Sequence, residues 1–84
     1  MRKETDSNGT YYYNNLNQLH REDGPAIELT NGDKSWYLNN LCHREDGPAI
    51  EFADGTKCWC FRGKHIDCET NEEFLQLMKM KAFW

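Results

Sequence analysis

The chain has 84 residues, 14 acidic against 10 basic, and a net charge of −4. That length bounds it to one domain with a thin core, because so short a chain buries only about 60% of its unfolded surface. With acids and bases interspersed and no basic stripe, counterion release offers little drive for direct nucleic-acid binding, and no segment approaches the ~20 apolar residues of a membrane span.

Residues 1–9 are polar, lack an apolar signal stretch and read as a flexible N-terminal leader. A cytosolic location follows as the expectation, with the four cysteines as reduced thiols. β signals begin at Thr10, where Tyr11, Tyr12 and Tyr13 form an aromatic run that stops at Asn14-Asn15. The chain then repeats itself. His20-Arg21-Glu22-Asp23-Gly24-Pro25-Ala26-Ile27-Glu28 returns unchanged 23 residues later as His43-Arg44-Glu45-Asp46-Gly47-Pro48-Ala49-Ile50-Glu51. Gly32, Lys34 and Trp36 recur as Gly55, Lys57 and Trp59. A fixed period in the twenties marks a supersecondary unit stacked on copies of itself.

Each copy has the same grammar. Ala26-Ile27-Glu28-Leu29 precedes Asn31-Gly32, and Ala49-Ile50-Glu51-Phe52 precedes Asp54-Gly55. Asn-Gly and Asp-Gly between apolar runs predict hairpins with type I′ turns. The return strands, residues 34–38 and 57–61, stop at the turn-like pairs Asn39-Asn40 and Arg62-Gly63. Alternation puts Trp36 with Leu38, and Trp59 with Phe61, on one face, while Ser35, Tyr37, Cys58 and Cys60 take the other. The period then changes. Thr70-Asn71-Glu72-Glu73 fits a capping box, and Phe74, Leu77 and Met78 recur at helical spacing, flanked by Leu75 and Ala82. Glu69, Glu72 and Glu73 begin this segment, and Lys79 and Lys81 end it, as the helix dipole favours. A helix over 71–82 is expected to cover one face or the open end of the sheet. The expected fold is mainly β: an antiparallel meander of tandem hairpins with five or six strands, capped by one C-terminal α-helix. Its single repeat domain, residues 10–84, divides into repeats over 13–35 and 36–58, a degenerate third unit over 59–68, and the helix.

The repeated block first reads as a connection. Asp23-Gly24-Pro25 is turn chemistry, and Arg21 can pair with Glu45 or Asp46 of the adjacent copy, a surface pair worth about 0–1 kcal/mol. On that basis Arg21 and Arg44 are expected to be replaceable without loss of the fold. A catalytic reading would pair His20 with Asp23 or Glu22. The duplication opposes it, because a hinge must recur once per unit whereas a catalytic constellation need not. No nucleophile has a base beside it, and no glycine-rich phosphate loop follows a strand. His-Arg-x-Asp also occurs in the kinase catalytic loop, but the rest of that large fold cannot fit. Cys58-x-Cys60 with Cys42, Cys68, His43 and His65 lacks the paired spacing of a zinc site, so free thiols are expected, with no metal and no cofactor.

The unit over residues 36–57 resembles the His-Arg-Glu-Asp-Gly-Pro-Ala repeats of small phage-encoded proteins, a variant of the MORN repeat. The likeness covers about residues 11–66, and the Glu-Glu-Phe start of the final helix is similar to how such chains end. Asn40 departs from the glycine usual in that turn, and His65 falls one position earlier in its unit than His43. The resemblance implies stacked hairpins and a binding role, and it assigns no catalytic residues. The functional expectation is a non-enzymatic module in the host cytoplasm that binds and inhibits a host protein, such as a CRISPR effector or other defence component. Its acidity suits docking onto a basic, nucleic-acid-handling protein. The expected contacts are Trp36, Trp59 and Tyr37, with the ridge His20, Arg21, Glu22, His43, Arg44 and Glu45. Core packing under the helix is the competing use of the tryptophans. The alternatives are a sponge that sequesters a nucleotide signal between aromatics and Arg21 or Arg44, and a structural phage protein that forms homo-oligomers through open sheet edges.

Overall fold

A computed structural model of the chain describes residues 2–80. Among the described residues nine strands run in chain order: β1 (Arg2–Thr5), β2 (Gly9–Tyr13), β3 (Ile27–Leu29), β4 (Lys34–Ser35), β5 (Tyr37–Leu38), β6 (Leu41–Cys42), β7 (Ile50–Glu51), β8 (Lys57–Phe61) and β9 (Lys64–Ile66). One helix, α1 (Asn71–Lys79), follows. The main sheet has seven antiparallel strands in the order β1-β2-β3-β4-β7-β8-β9, and β5 and β6 form a small separate hairpin. The tandem-hairpin meander with a C-terminal helix is therefore the fold, with more strands than the five or six expected. The helix ends at Lys79, and Lys81 and Ala82, expected to extend it, lie outside the described residues.

Residues 2–5 correct the expectation of a flexible leader. They pair in register with β2, Arg2 opposite Tyr13 and Thr5 opposite Thr10. All four are exposed, so no apolar alternation marked them as a strand. Asp6 shapes the turn by accepting the Asn8 and Gly9 amides at 2.8 and 3.0 Å. Gly9 is required there, because a Cβ would stand 2.4 Å from the Glu28 carbonyl oxygen of the neighbouring strand.

The two sequence-marked hairpins form, but with a different turn. Gly32 donates to the Leu29 carbonyl at 3.0 Å and Gly55 to that of Phe52 at 3.0 Å. Only the glycine of each Asn-Gly or Asp-Gly pair has positive φ, 104° at Gly32 and 93° at Gly55. These are three-residue loops ending in a left-handed glycine, a form that matches strand twist without needing positive φ at Asn31 or Asp54. The side chains of those two residues instead accept the Asp33 and Thr56 amides. Two-residue turns with positive φ at both centres occur at Asn39-Asn40 (49° and 70°) and Arg62-Gly63 (51° and 81°).

Within residues 34–38 the strand changes partners at Trp36. Its N–H donates to the Ala49 carbonyl at 2.7 Å, and its carbonyl accepts from the His43 amide at 3.0 Å. On one side of this point β4 pairs with β7; on the other, β5 pairs with β6. Ala26 and Ala49, the seventh residue of each block, are fully buried where successive units meet. The main apolar cluster lies at the far end, where α1 packs Phe74 and Met78 against Trp59 and Ile66. Thr70 caps the helix by accepting the Glu73 amide, and Trp59 Nε1–H donates to Asn71 Oδ1 at 3.2 Å. The last hairpin has no following unit to cover it, and the helix takes that place.

Candidate interaction groove

The nine-residue block folds into a cassette built around its arginine. Arg21 Nε donates to Asp23 at 3.0 Å, and Nη1 donates to the Pro25 carbonyl and to Glu28, both at 3.2 Å. Arg44 repeats this on Asp46 at 2.9 Å, the Pro48 carbonyl at 3.1 Å and Glu51 at 2.9 Å. The expected pairing of Arg21 with Glu45 or Asp46 of the next copy is therefore replaced by partners two, four and seven residues along the same copy. Each guanidinium also lies over a ring of the preceding strand, Arg21 4.1 Å from the centre of Tyr12 and Arg44 4.0 Å from that of Trp36. Burial opposes the Arg21 charge, but the hydrogen bond to Asp23 and the field of Tyr12, Asp23 and Glu28 outweigh it and raise its pKa.

The remaining positions of the block serve the same geometry. A Cβ at Gly24 or Gly47 would sit 3.1 or 3.0 Å from the guanidinium carbon, so glycine makes room for the fork. His20 Nδ1 accepts the Asn39 amide at 3.0 Å, and His43 Nδ1 accepts that of Arg62 at 2.9 Å. Each histidine thus caps the two-residue turn of the next unit. The Arg21 and Arg44 amides donate to the carbonyls of Tyr37 and Cys60, which ties each block to the following strand. The repetition has a physical cause at several positions: the Asp and the final Glu of each block hold its arginine, the Pro carbonyl accepts from it, and the His caps the next hairpin.

Stacking two cassettes leaves a groove of about 630 Å³ between them. Trp36 and Leu38 line it from the strand, Arg21, Glu22 and Asp23 from the first copy, and His43, Arg44, Glu45 and Asp46 from the second. The side chains of Glu22, Asp23 and Asp46 are 79%, 83% and 84% exposed, whereas those of Arg21 and Arg44 are 21% and 24% exposed. The carboxylates face solvent and the guanidiniums face inward. Among the lining residues two arginines, Arg21 and Arg44, stand against four carboxylates, Glu22, Asp23, Glu45 and Asp46. The groove therefore presents a negative field over an aromatic floor.

Six of the nine expected contact residues meet here: Trp36, Arg21, Glu22, His43, Arg44 and Glu45. His20 lies behind the groove as a turn cap. Trp59 is 5% exposed in the core beneath α1, which removes it as a contact residue. Tyr37 points to the other side of its strand, where burial and the neighbouring Cys42 and Cys60 raise its pKa. Burial and a hydrogen bond to Cys60 push the Cys42 thiol up to about 12. The four thiols are unpaired as disulfides, and among the described residues no group of three or more His, Cys, Asp or Glu is arranged to hold a metal. Leu41, absent from the expected contacts, is 48% exposed and lines a smaller recess beside the groove. Its alternation with Leu38 across a two-residue turn was the available signal. Comparison with protein-family models, with curated proteins and with solved structures finds no match.

Proposed function

We propose that the protein is a non-enzymatic binding module of phage type that docks its inter-repeat groove onto a host protein and inhibits it. A bacterial defence component encountered in the host cytoplasm is the favoured target class. The observation that carries this reading is the groove, in which two identical loops converge on Trp36 with their carboxylates turned outward. An aromatic floor ringed by charge is the kind of surface that anchors a protein partner, and a one-signed rim speeds and orients encounter.

The groove does join Arg21 and Arg44 to Trp36, as a nucleotide sponge would need. Both guanidiniums, however, are engaged by Asp and Glu of their own copy, and the excess of carboxylates opposes a phosphate. Self-assembly through the β1 edge is disfavoured by Arg2, Lys3 and Glu4, since charged edges resist strand addition. The test is affinity capture from host cells with the intact chain beside Glu22→Lys and Trp36→Ala, each checked for fold by circular dichroism. A partner held by the parent chain and lost from both folded variants supports the groove. A partner that both variants retain excludes it, and stabilisation by cyclic nucleotides in place of a protein partner moves the assignment to the sponge.

A further inference from the structure

We infer that the groove is occupied by an extended basic segment of the partner, with one cationic side chain between the two loops and an apolar side chain beside it. This rests on the protein-binding reading and names its partner class. Three observations carry it. The first is charge placement. Each guanidinium is matched by two carboxylates of its own copy, at 3.0 and 3.2 Å for Arg21 and 2.9 Å twice for Arg44. Glu22 adds a further carboxylate, 79% exposed at the mouth, with the imidazole Nε2 of His20 3.8 Å away. A lysine or arginine entering the groove meets this field with both resident cations already neutralised.

The second observation is the floor. Trp36 lines the groove with Arg44 already stacked 4.0 Å from its ring centre, so it offers an incoming segment apolar contact beside the carboxylates and not a vacant cation site. The third is continuity. A recess of about 300 Å³ adjoins the groove, shares Leu38, His43 and Glu45 with it, and adds Asn39, Leu41 and Arg62. Side chains of an extended peptide recur on one side at every second residue. An acidic hollow running into a leucine-lined one therefore suits a segment with a basic residue and an apolar residue two positions apart.

The probes are blocked pentapeptides titrated into the intact chain and followed by two-dimensional NMR: Gly-Arg-Gly-Leu-Gly, the same peptide with Glu for Arg, and the same with Ala for Leu. The arginine–leucine peptide is expected to shift the Trp36 indole N–H and the Leu38 and Leu41 signals to saturation. It should bind about tenfold more tightly than the glutamate peptide, with binding about tenfold weaker between roughly 20 and 300 mM salt. Glu22→Lys should weaken it by a similar factor and Leu41→Ser by about threefold, and Glu22→Gln serves if the lysine variant fails to fold. Equal binding of the glutamate peptide, no saturable shift at Trp36 up to about 5 mM peptide, or stronger shifts with inorganic phosphate would overturn the inference. A captured partner lost on Trp36→Ala but indifferent to salt and to Glu22→Lys would leave the groove as the docking site and defeat the basic segment.

Discussion

Replacing Gly47 by alanine tests whether the arginine fork is what the repeated block is built around. Gly47 has no positive φ, so alanine fits its backbone, and stiffening the unfolded chain should stabilise the protein by about 0.4–1 kcal/mol. The added Cβ, however, would sit 3.0 Å from Arg44 Cζ and 3.2 Å from Nε. A guanidinium normally swings aside at little cost. This one is held by Asp46 at 2.9 Å, the Pro48 carbonyl at 3.1 Å, Glu51 at 2.9 Å and the Trp36 ring at 4.0 Å. Displacing it by a few tenths of an ångström strains three hydrogen bonds of about 0.5–1.5 kcal/mol each, so the clash costs roughly 1–3 kcal/mol. Gly47→Ala should therefore destabilise the parent chain by about 1 kcal/mol, yet stabilise the Arg44→Ala variant by about 0.5 kcal/mol. Urea denaturation of the four chains, followed by circular dichroism, measures the coupling. Effects that add to within about 0.5 kcal/mol would refute the fork's role.

Arg44→Ala alone should cost about 2 kcal/mol and lower the Tm by roughly 8–16 °C, because the fork is mostly covered and its partners lose their donor. This departs from the replaceable surface arginine that the sequence suggests, and thermal melts decide between the two. Phe74→Ala should be the most damaging substitution, at about 3–5 kcal/mol, since Phe74 is fully buried between α1 and Trp59; loss of helical ellipticity with an early melt is the readout. Gly9→Ala should cost at least about 2 kcal/mol in a urea titration, because its Cβ meets the Glu28 backbone oxygen, which cannot move aside. Alkaline titration should show a loss that Cys42 shares with Tyr37 and Cys68, whose pKa values burial also raises. The Cys42 thiol stays neutral in the folded chain up to about pH 12 but ionises near 9 when unfolded, so stability holds below pH 9 and falls between 9 and 12. Cys42→Ala should flatten that fall in part, and an unchanged slope would contradict the burial of this thiol.

The hairpins and the helix were legible because their boundaries are chemical. Gly32, Gly55 and Gly63 mark turns, and Thr70 marks a cap, whatever the surroundings. Turn type was not legible: Asn31-Gly32 allows either a two- or a three-residue loop, and only the pairing of the flanking strands selects between them. β1 was hidden because an exposed edge strand need not alternate, and its evidence lies in what it pairs with. At the site, the repeated block was legible as a unit but not as a fork, since Asp and Glu of either copy are chemically equal partners for Arg21. The decisive spacing of two, four and seven residues emerges once Pro25 turns the chain back over the guanidinium. Trp36 and Trp59 hold equivalent places in the repeat yet differ in role, because α1 follows the last hairpin alone and covers only Trp59.

That both copies of the block build one docking surface is open to a direct measurement. It is tested most directly by measuring the affinity of the captured partner for chains carrying Glu22→Lys in the first copy or Glu45→Lys in the second, with Glu72→Lys on the helix as control. Weakening of about tenfold or more is expected for each groove variant and none for the control. Equal affinity across all three would contradict it.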